Sequence, residues 1–434
     1  DRLLKFYERH RVSWIRRAAV ERAHRWMVNH MRGNGGLGAI YPAMANSVIA
    51  LRCLGYPVNH PLVQKAVGEI DELEVDQGES LFVQPCHSVI WDTALTLNTL
   101  IDSGVEKMRP AIVRGVEWLL SKQTRLEGDW KNKRPNAQPG GWYFQFENEF
   151  YPDNDDTAAV LLALVKALGA EEGRDTPLER GLDWLLKMQG KDGGWGAFDV
   201  DNNKLFLNNI PFADHGALLD PSTADVTGRA LEVLGLLGHD ANYPPAARAL
   251  AFLRKSQEPF GPWYGRWGVN YIYGTWSVLA GIRAIGEEMT QPYILRAAAW
   301  LKSVQNPDGG WGESCRSYQD PSTAGRGPST SSQTAWAVMS LLHAGDSGSP
   351  SLERGIRYLL DNQMPNGFWS EDQFTGTGFP RVFYLRYHMY CKHFPLWALS
   401  MYRMLRSKGQ IRNDEVRLLY RTRYRSHSNG TPSP

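Results

Sequence analysis

Arg180-Gly181-Leu182-Asp183-Trp184-Leu185-Leu186-Lys187-Met188-Gln189-Gly190-Lys191-Asp192-Gly193-Gly194-Trp195 joins an apolar helical stretch to a Gln, a few polar residues and a Gly-x-Trp turn. The unit returns four more times, through Gln123 to Trp130, Gln257 to Trp263, Gln305 to Trp311 and Gln363 to Trp369. A worn copy lies near Trp26, with His30 and Leu37 in place of the Gln and Trp. A second unit alternates with the first: Asp92-Thr93-Ala94, Asp156-Thr157-Ala158, Asp225-Val226-Thr227 and Gln333-Thr334-Ala335 each open an apolar run at helical spacing. Thr157 to Gly169 reads as a buried helix, and Gly169 supplies its stop. Two alternating helix types, recurring about every 50 to 70 residues, predict a closed ring of helical hairpins, the all-α α/α toroid. In that reading each Gln satisfies the orphan amides of a helix start while the Trp packs over it.

Other features bound the function. A chain of 434 residues exceeds one ordinary core, which fits a repeat architecture. A formal net charge of +2 gives no reason to expect nucleic acid. Cys53, Cys86, Cys315 and Cys391 form no CxxC pair, so neither a disulfide framework nor a zinc site is indicated. No apolar run reaches the roughly 18 residues of a spanning helix. The opening Asp1 carries neither a methionine nor a signal-peptide pattern, so the chain reads as a fragment.

Tyr151-Pro152-Asp153-Asn154-Asp155-Asp156-Thr157-Ala158 carries the chemistry. Asp92 and Asp225 occupy positions like that of Asp156 in other repeats, so Asp156 reads in part as a helix cap. Asp153 and Asp155 are not accounted for that way. Three carboxylates within four residues, at the start of a helix that should be buried, favour keeping one protonated at neutral pH. A carbon–carbon double bond is a very weak base. Its protonation needs an acid with a stabilised conjugate base in a dry site, and hydrogen-bonded Asp residues at a helix N-terminus supply both.

Asp-x-Asp-Asp-Thr-Ala together with the Gln/Gly/Trp repeats resembles the squalene–hopene cyclases, class II triterpene cyclases of bacteria. Gly265-Arg266-Trp267-Gly268-Val269-Asn270-Tyr271-Ile272-Tyr273-Gly274-Thr275 is similar to that family's signatures, as is the run from Gly376-Thr377-Gly378-Phe379-Pro380 through Phe383-Tyr384-Leu385, Tyr387 and Tyr390. The resemblance runs from residue 1 to about 408. It implies that Asp155 delivers the proton while Asp153 and Asp156 tune it, with Tyr273 nearby. It places Trp91, Phe144, Phe198, Trp267, Phe379, Phe383, Tyr387 and Tyr390 along the cavity, where ring faces stabilise successive cations by about 0.5 to 2 kcal/mol each. Phe212 would stand at the channel constriction. The implied reaction is protonation-initiated polycyclisation of squalene to hopene or hopanol, without a cofactor or metal. The extra acids favour squalene over its epoxide.

Arg229 departs from the family pattern, which has a His there. Arg cannot relay a proton, but it can hold the acid and stabilise the spent anion, so it is read as a partner of Asp155. The resemblance further implies an N-terminal truncation by roughly a third, with residues 1–84 ending one barrel, 85–408 forming the catalytic (α/α)6 barrel, and 409–434 a charged, disordered tail. It implies peripheral, monotopic attachment to the cytoplasmic face of a bacterial membrane, and it allows a homodimer. Two alternatives stand beside this reading. A class II cyclase of another isoprenoid would need basic and metal-binding residues for a diphosphate, and no dedicated set is present. A non-catalytic toroid used as a binding module accounts for the repeats but not for Asp153 and Asp155.

Overall fold

The structure is a computed structural model that describes residues 2–10, 12–31, 35–169, 175–210 and 218–407. Phe212 and the tail 409–434 therefore lie outside the described residues. The N-terminal part contributes helices α1 (Arg2–Arg9), α2 (Ser13–His30), α3 (Tyr41–Cys53) and α4 (Pro61–Asp71), then an antiparallel hairpin of β1 (Glu74–Asp76) and β2 (Leu81–Val83). Inner helices α5 (Val89–Ser103), α7 (Asn154–Leu168), α9 (Ala224–Leu236), α11 (Tyr271–Ile285), α13 (Ser331–His343) and α15 (Tyr390–Ser407) alternate with outer helices. The outer ones are α6 (Arg109–Ser121), α8 (Pro177–Lys187), α10 (Pro244–Ser256), α12 (Pro292–Ser303) and α14 (Pro350–Asp361). A second hairpin, β3 (Gly376–Phe379) with β4 (Phe383–Leu385), precedes α15.

Each inner helix packs on the next, from α5 through α7, α9, α11 and α13 to α15, and α15 returns to α5. This closure makes an α/α toroid, because a helix that is apolar on nearly every face is stable only when neighbours cover it all round. Val160, Leu161, Ala163, Leu164, Val226, Ile272 and Val338 are accordingly sealed from solvent. The outer helices are amphipathic and all carry Pro in the first turn, where its missing N–H is no loss.

The repeat unit has a mechanical explanation. Gln189 Nε2 donates to the carbonyls of Gly193 (2.8 Å) and Pro245 (2.9 Å), tying the end of α8 to the start of α10. Gln257 and Gln305 make the same two bonds to Gly261 and Tyr293 and to Gly309 and Ser351. The Gln thus donates to carbonyls and does not receive orphan amides, which corrects the sequence reading; its Oε1 instead accepts from the Arg of the following repeat, as Arg296 does to Gln257 at 2.7 Å. Each turn Trp donates its ring N–H to the last turn of its own outer helix: Trp195 to Leu185, Trp263 to Leu253, Trp311 to Leu301 and Trp369 to Leu359. In Trp195, Trp263 and Trp311 the backbone N–H also reaches the next inner helix, as Trp195 N does to Thr227 Oγ1 at 3.0 Å.

The first repeat differs from the sequence reading. Trp142, not Trp130, donates to Leu119 O (2.7 Å), and its amide meets Thr157 Oγ1 (2.9 Å). Trp130 packs edge-on against Trp184 instead. The Gly of Arg-Gly seats that Trp: a Cβ on Gly181 would stand 2.7 Å from the Trp142 ring. Trp195→Phe removes the ring N–H and part of the indole from a sealed site and leaves Leu185 O with the Met188 amide alone. Loss of about 1–3 kcal/mol in a urea unfolding curve is expected, and an unchanged midpoint would reduce this Trp to ring packing.

Candidate active site

The acid motif begins α7. Asp153 sits in the extended region (φ −126°, ψ 159°), and its Oδ1 accepts the amide of Asp156 at 2.7 Å. The cap is therefore Asp153, while Asp156 lies within the first turn, where its own amide is the group being satisfied. This overturns the reading that assigned capping to Asp156. Asp225 likewise lies inside α9, behind Thr223. Neighbouring repeats pin the motif. Asp153 N donates to Trp142 O (2.9 Å), Asn154 N to Ala197 O (2.7 Å) and Asn154 Nδ2 to Gly196 O (2.8 Å).

All three carboxyls are buried, at 3% exposure for Asp153, 6% for Asp155 and 3% for Asp156. Burial is the largest cause in each case and raises all three pKa values. The side chains of Asp153 and Asp156 lie within reach of one another, so each acts on the proton affinity of the other. Asp153 is pushed up to about 7, with the Asp156 contacts pulling it back, and Asp156 is raised well above the carboxylate range, with Asp153 adding to burial.

Asp155 has a different partner. Its Oδ1 accepts from Arg229 Nε at 2.6 Å, and Arg229 Nη2 donates to Tyr273 OH at 2.7 Å. Burial raises the Asp155 pKa and the Arg229 charge opposes it. Desolvation is the largest influence on the Arg229 cation and opposes it, but the attractions of Asp155, Tyr273 and Glu232 together outweigh it, and Arg229 stays charged. The guanidinium also lies 5.0 Å from the Trp91 ring centroid and 5.4 Å from that of Trp276. Arg229 and Tyr273 can meet because α9 and α11 approach closely at Gly228 and Gly281: a Cβ on Gly281 would fall 2.1 Å from Gly228 O.

Asp155 opens onto a cavity of about 1680 Å³ between the N-terminal helices and the barrel. Asp153, Asp156, Trp91, Phe144, Phe198, Trp267, Phe379, Phe383, Tyr387 and Tyr390 all line it, whereas Arg229 and Tyr273 stand behind the acid and do not. The rings support one another. Tyr387 stacks on Tyr390 at 4.3 Å, Phe379 meets Phe383 at 5.2 Å, and Phe198 meets Trp267 edge-on at 6.0 Å. Trp91 Nε1 donates to Tyr390 OH (2.9 Å). Asp225 Oδ2 receives the amides of Arg266 (2.7 Å) and Trp267 (2.9 Å) and so places the Trp267 ring.

Sequence reasoning passed over Trp276, although it follows Tyr273 by three residues, the spacing that puts both on one helix face. It also passed over Cys86, which lines the cavity and whose thiol is pushed up to about 12 by burial and then by Asp156. No local pattern marks that Cys. Among the described residues no helix is long and apolar enough to cross a membrane.

A carboxylic acid beside a fixed cation, at the wall of an aromatic cavity, has the chemistry to protonate an apolar substrate. The squalene–hopene cyclase C-terminal domain matches residues 87–404, and the N-terminal domain of the same family matches 1–79. The squalene–hopene cyclase of Bradyrhizobium diazoefficiens is 47% identical over 412 residues, covering 94% of this chain and 62% of the relative. A probable squalene–hopene cyclase of Sinorhizobium fredii is 47% identical over 413 residues, covering 94% of this chain and 64% of its own. The chain thus spans less than two thirds of the length of these relatives. Among solved structures, ent-copalyl diphosphate synthase from Streptomyces platensis superposes with a TM-score of 0.51 at 22% identity, over 78% of this chain and 55% of that one, which speaks for the toroid fold alone. With both domain descriptions matched in order and nearly half of the residues shared with cyclases of known name, the chain belongs to the squalene–hopene cyclase family.

Proposed function

We propose that the full-length protein cyclises squalene to a hopene- or hopanol-type pentacyclic triterpene, with Asp155 as the proton donor. The observation that carries this reading is the division of labour at Asp155: Arg229 holds Oδ1, which leaves Oδ2 to carry a proton to a substrate in the cavity. The alkene takes that proton at one carbon of a terminal double bond, and the other carbon becomes the first cation. Successive double bonds attack it in turn, each ring closure moving the positive charge along the chain. Loss of a proton ends the sequence as hopene, and capture of water ends it as hopanol. Arg229 stabilises the Asp155 carboxylate that remains, while the buried Asp153–Asp156 pair, whose pKa values are raised, stands beside it. Tyr273 orients Arg229 from behind.

The aromatic walls present ring faces to the cations, so the intermediates survive long enough to close. Phe379→Ala is expected to release partially cyclised products. A cation without its ring partner loses about 0.5 to 2 kcal/mol and is quenched early. A product profile identical to that of the parent would leave Phe379 a packing residue. Residues 1–84 would end one barrel and 85–408 form the catalytic one. Attachment to the cytoplasmic face of the membrane would bring substrate from lipid. Phe206 (67% exposed) and Leu218 (41% exposed), on either side of the segment that contains Phe212, favour that contact. The deciding experiment incubates the full-length protein with squalene in detergent and separates the products by gas chromatography. Pentacyclic product is expected, and recovery of unchanged squalene overturns the reading.

A further inference from the structure

The far ends of the inner helices carry charges that the proton donor does not touch. Asp102 on α5 and Lys166 on α7 form an ion pair of 2.7 Å whose side chains are 7% and 0% exposed, and Trp397 Nε1 on α15 donates to the same Asp102 oxygen at 2.8 Å. Lys166 Nζ lies 4.9 Å from the Trp397 ring centroid. Glu232 on α9 (7% exposed), Arg283 on α11 (5%) and His343 on α13 (6%) complete a polar layer fed by all six inner helices. Such a layer costs desolvation at every group, so apolar residues would serve barrel packing at least as well.

Its link to the site is Glu232. It follows Arg229 by three residues on α9, which places both on one face of the helix. The charges around it are Lys166 from α7, Arg229 from its own helix and Asp102 from α5. Beyond these stand Asp155 and Asp156 from α7, Tyr273 and Arg283 from α11, and His343 from α13, whose imidazole burial, then Arg283 and Lys166, hold neutral at about 3. The layer and Arg229 together hold three fixed cations, Arg229, Lys166 and Arg283, against two carboxylates, Asp102 and Glu232. Asp155 is the remaining carboxylate in contact with Arg229.

We propose that Glu232 is a positioning residue for the acid: an anion one turn beyond Arg229 that compensates the guanidinium while Asp155 holds its proton. Without it, more of the demand of the buried cation falls on Asp155. Asp155 then ionises before substrate arrives. With it, Arg229 can stand beside a neutral Asp155-H and still stabilise the carboxylate once the proton has gone. Lys166 and Arg229 in turn oppose the burial that raises the Glu232 pKa. This rests on the reading of Asp155 as the donor, so the test reads its protonation directly.

Infrared difference spectra of the full-length protein, recorded across pH, follow the Asp155 carboxyl stretch, which is assigned by its absence in Asp155→Asn. In Glu232→Gln the Asp155 midpoint is expected to fall by about one pH unit, a tenfold loss of the protonated form at a given pH above it. Glu232→Asp, which keeps the charge, is expected to restore most of that shift even if it loses as much thermal stability. Should Glu232→Gln fail to fold, Glu232→Ser, with room for a water, makes the same charge change and carries the same expectation. A midpoint that stays within error in the neutral variant overturns the proposal. A Glu232→Asp shift as large as that of Glu232→Gln also overturns it, because packing and not charge would then be responsible. A charge-dependent shift in a protein that makes no cyclised product supports the coupling and sinks the cyclase reading instead.

Discussion

Asp155→Asn in the full-length protein is expected to lower cyclisation of squalene by roughly 100- to 10,000-fold, the range a positioned general acid contributes, while leaving the fold intact. Asn keeps the shape of Asp and keeps an Oδ1 that can accept from Arg229 Nε, so the contact now at 2.6 Å has a neutral successor. What disappears is the acidic proton. The neighbouring acids are poor substitutes: Asp153 Oδ1 is committed to the Asp156 amide, and neither acid has a cation held against it as Asp155 has Arg229. The fold should lose only about 1–3 kcal/mol, since Asn keeps an acceptor for the guanidinium where the protonated carboxyl stood. Product formation by gas chromatography, read beside a thermal melt, separates the two effects. More than a tenth of the parental rate in a well-folded variant would move the proton donor elsewhere.

The toroid was legible because its unit is short-range: Gln, Gly and Trp within seven residues report the turn that ends each outer helix. Where the spacing stretches, the reading fails. Between Gln123 and its true partner Trp142 an inserted loop brings in Trp130, which satisfies the pattern in sequence but not in space. The acid motif was legible as chemistry, whereas its cap was assigned one turn too late, because Asp153 and Asp156 are both capping residues and only backbone angles tell which one lies outside the helix. The contact from Arg229 to Tyr273 depends on the close crossing of α9 and α11, which no local pattern encodes. The polar layer was invisible for a related reason. Asp102, Lys166, Glu232 and Arg283 each stand on a different, largely apolar inner helix, and only closure of the ring brings them together.

Arg229→Met should cost nearly as much activity as loss of the acid itself, and with a distinct pH signature. Arg229 is the cation at Asp155 Oδ1, so it stabilises the anion that forms as the proton leaves. Removing one preorganised group of this kind in a dry site lowers the rate by roughly 100- to 1,000-fold. The sign of the accompanying shift follows from charge. A cation beside a carboxyl holds its pKa down, so without Arg229 the Asp155 proton is retained to higher pH. The plateau of the pH–rate profile therefore falls while its alkaline limb moves up. Arg229→His should lie between the two, since an imidazole near neutral pH is largely uncharged but can still donate a hydrogen bond. Glu232→Gln should move the same limb the other way, because it removes an anion that acts on the same guanidinium. A single electrostatic chain, Asp155 to Arg229 to Glu232, requires these opposed directions, and general damage to the barrel would not produce them. Profiles of Arg229→Met and the parent that superimpose within error would mean that the 2.6 Å contact has no part in proton donation.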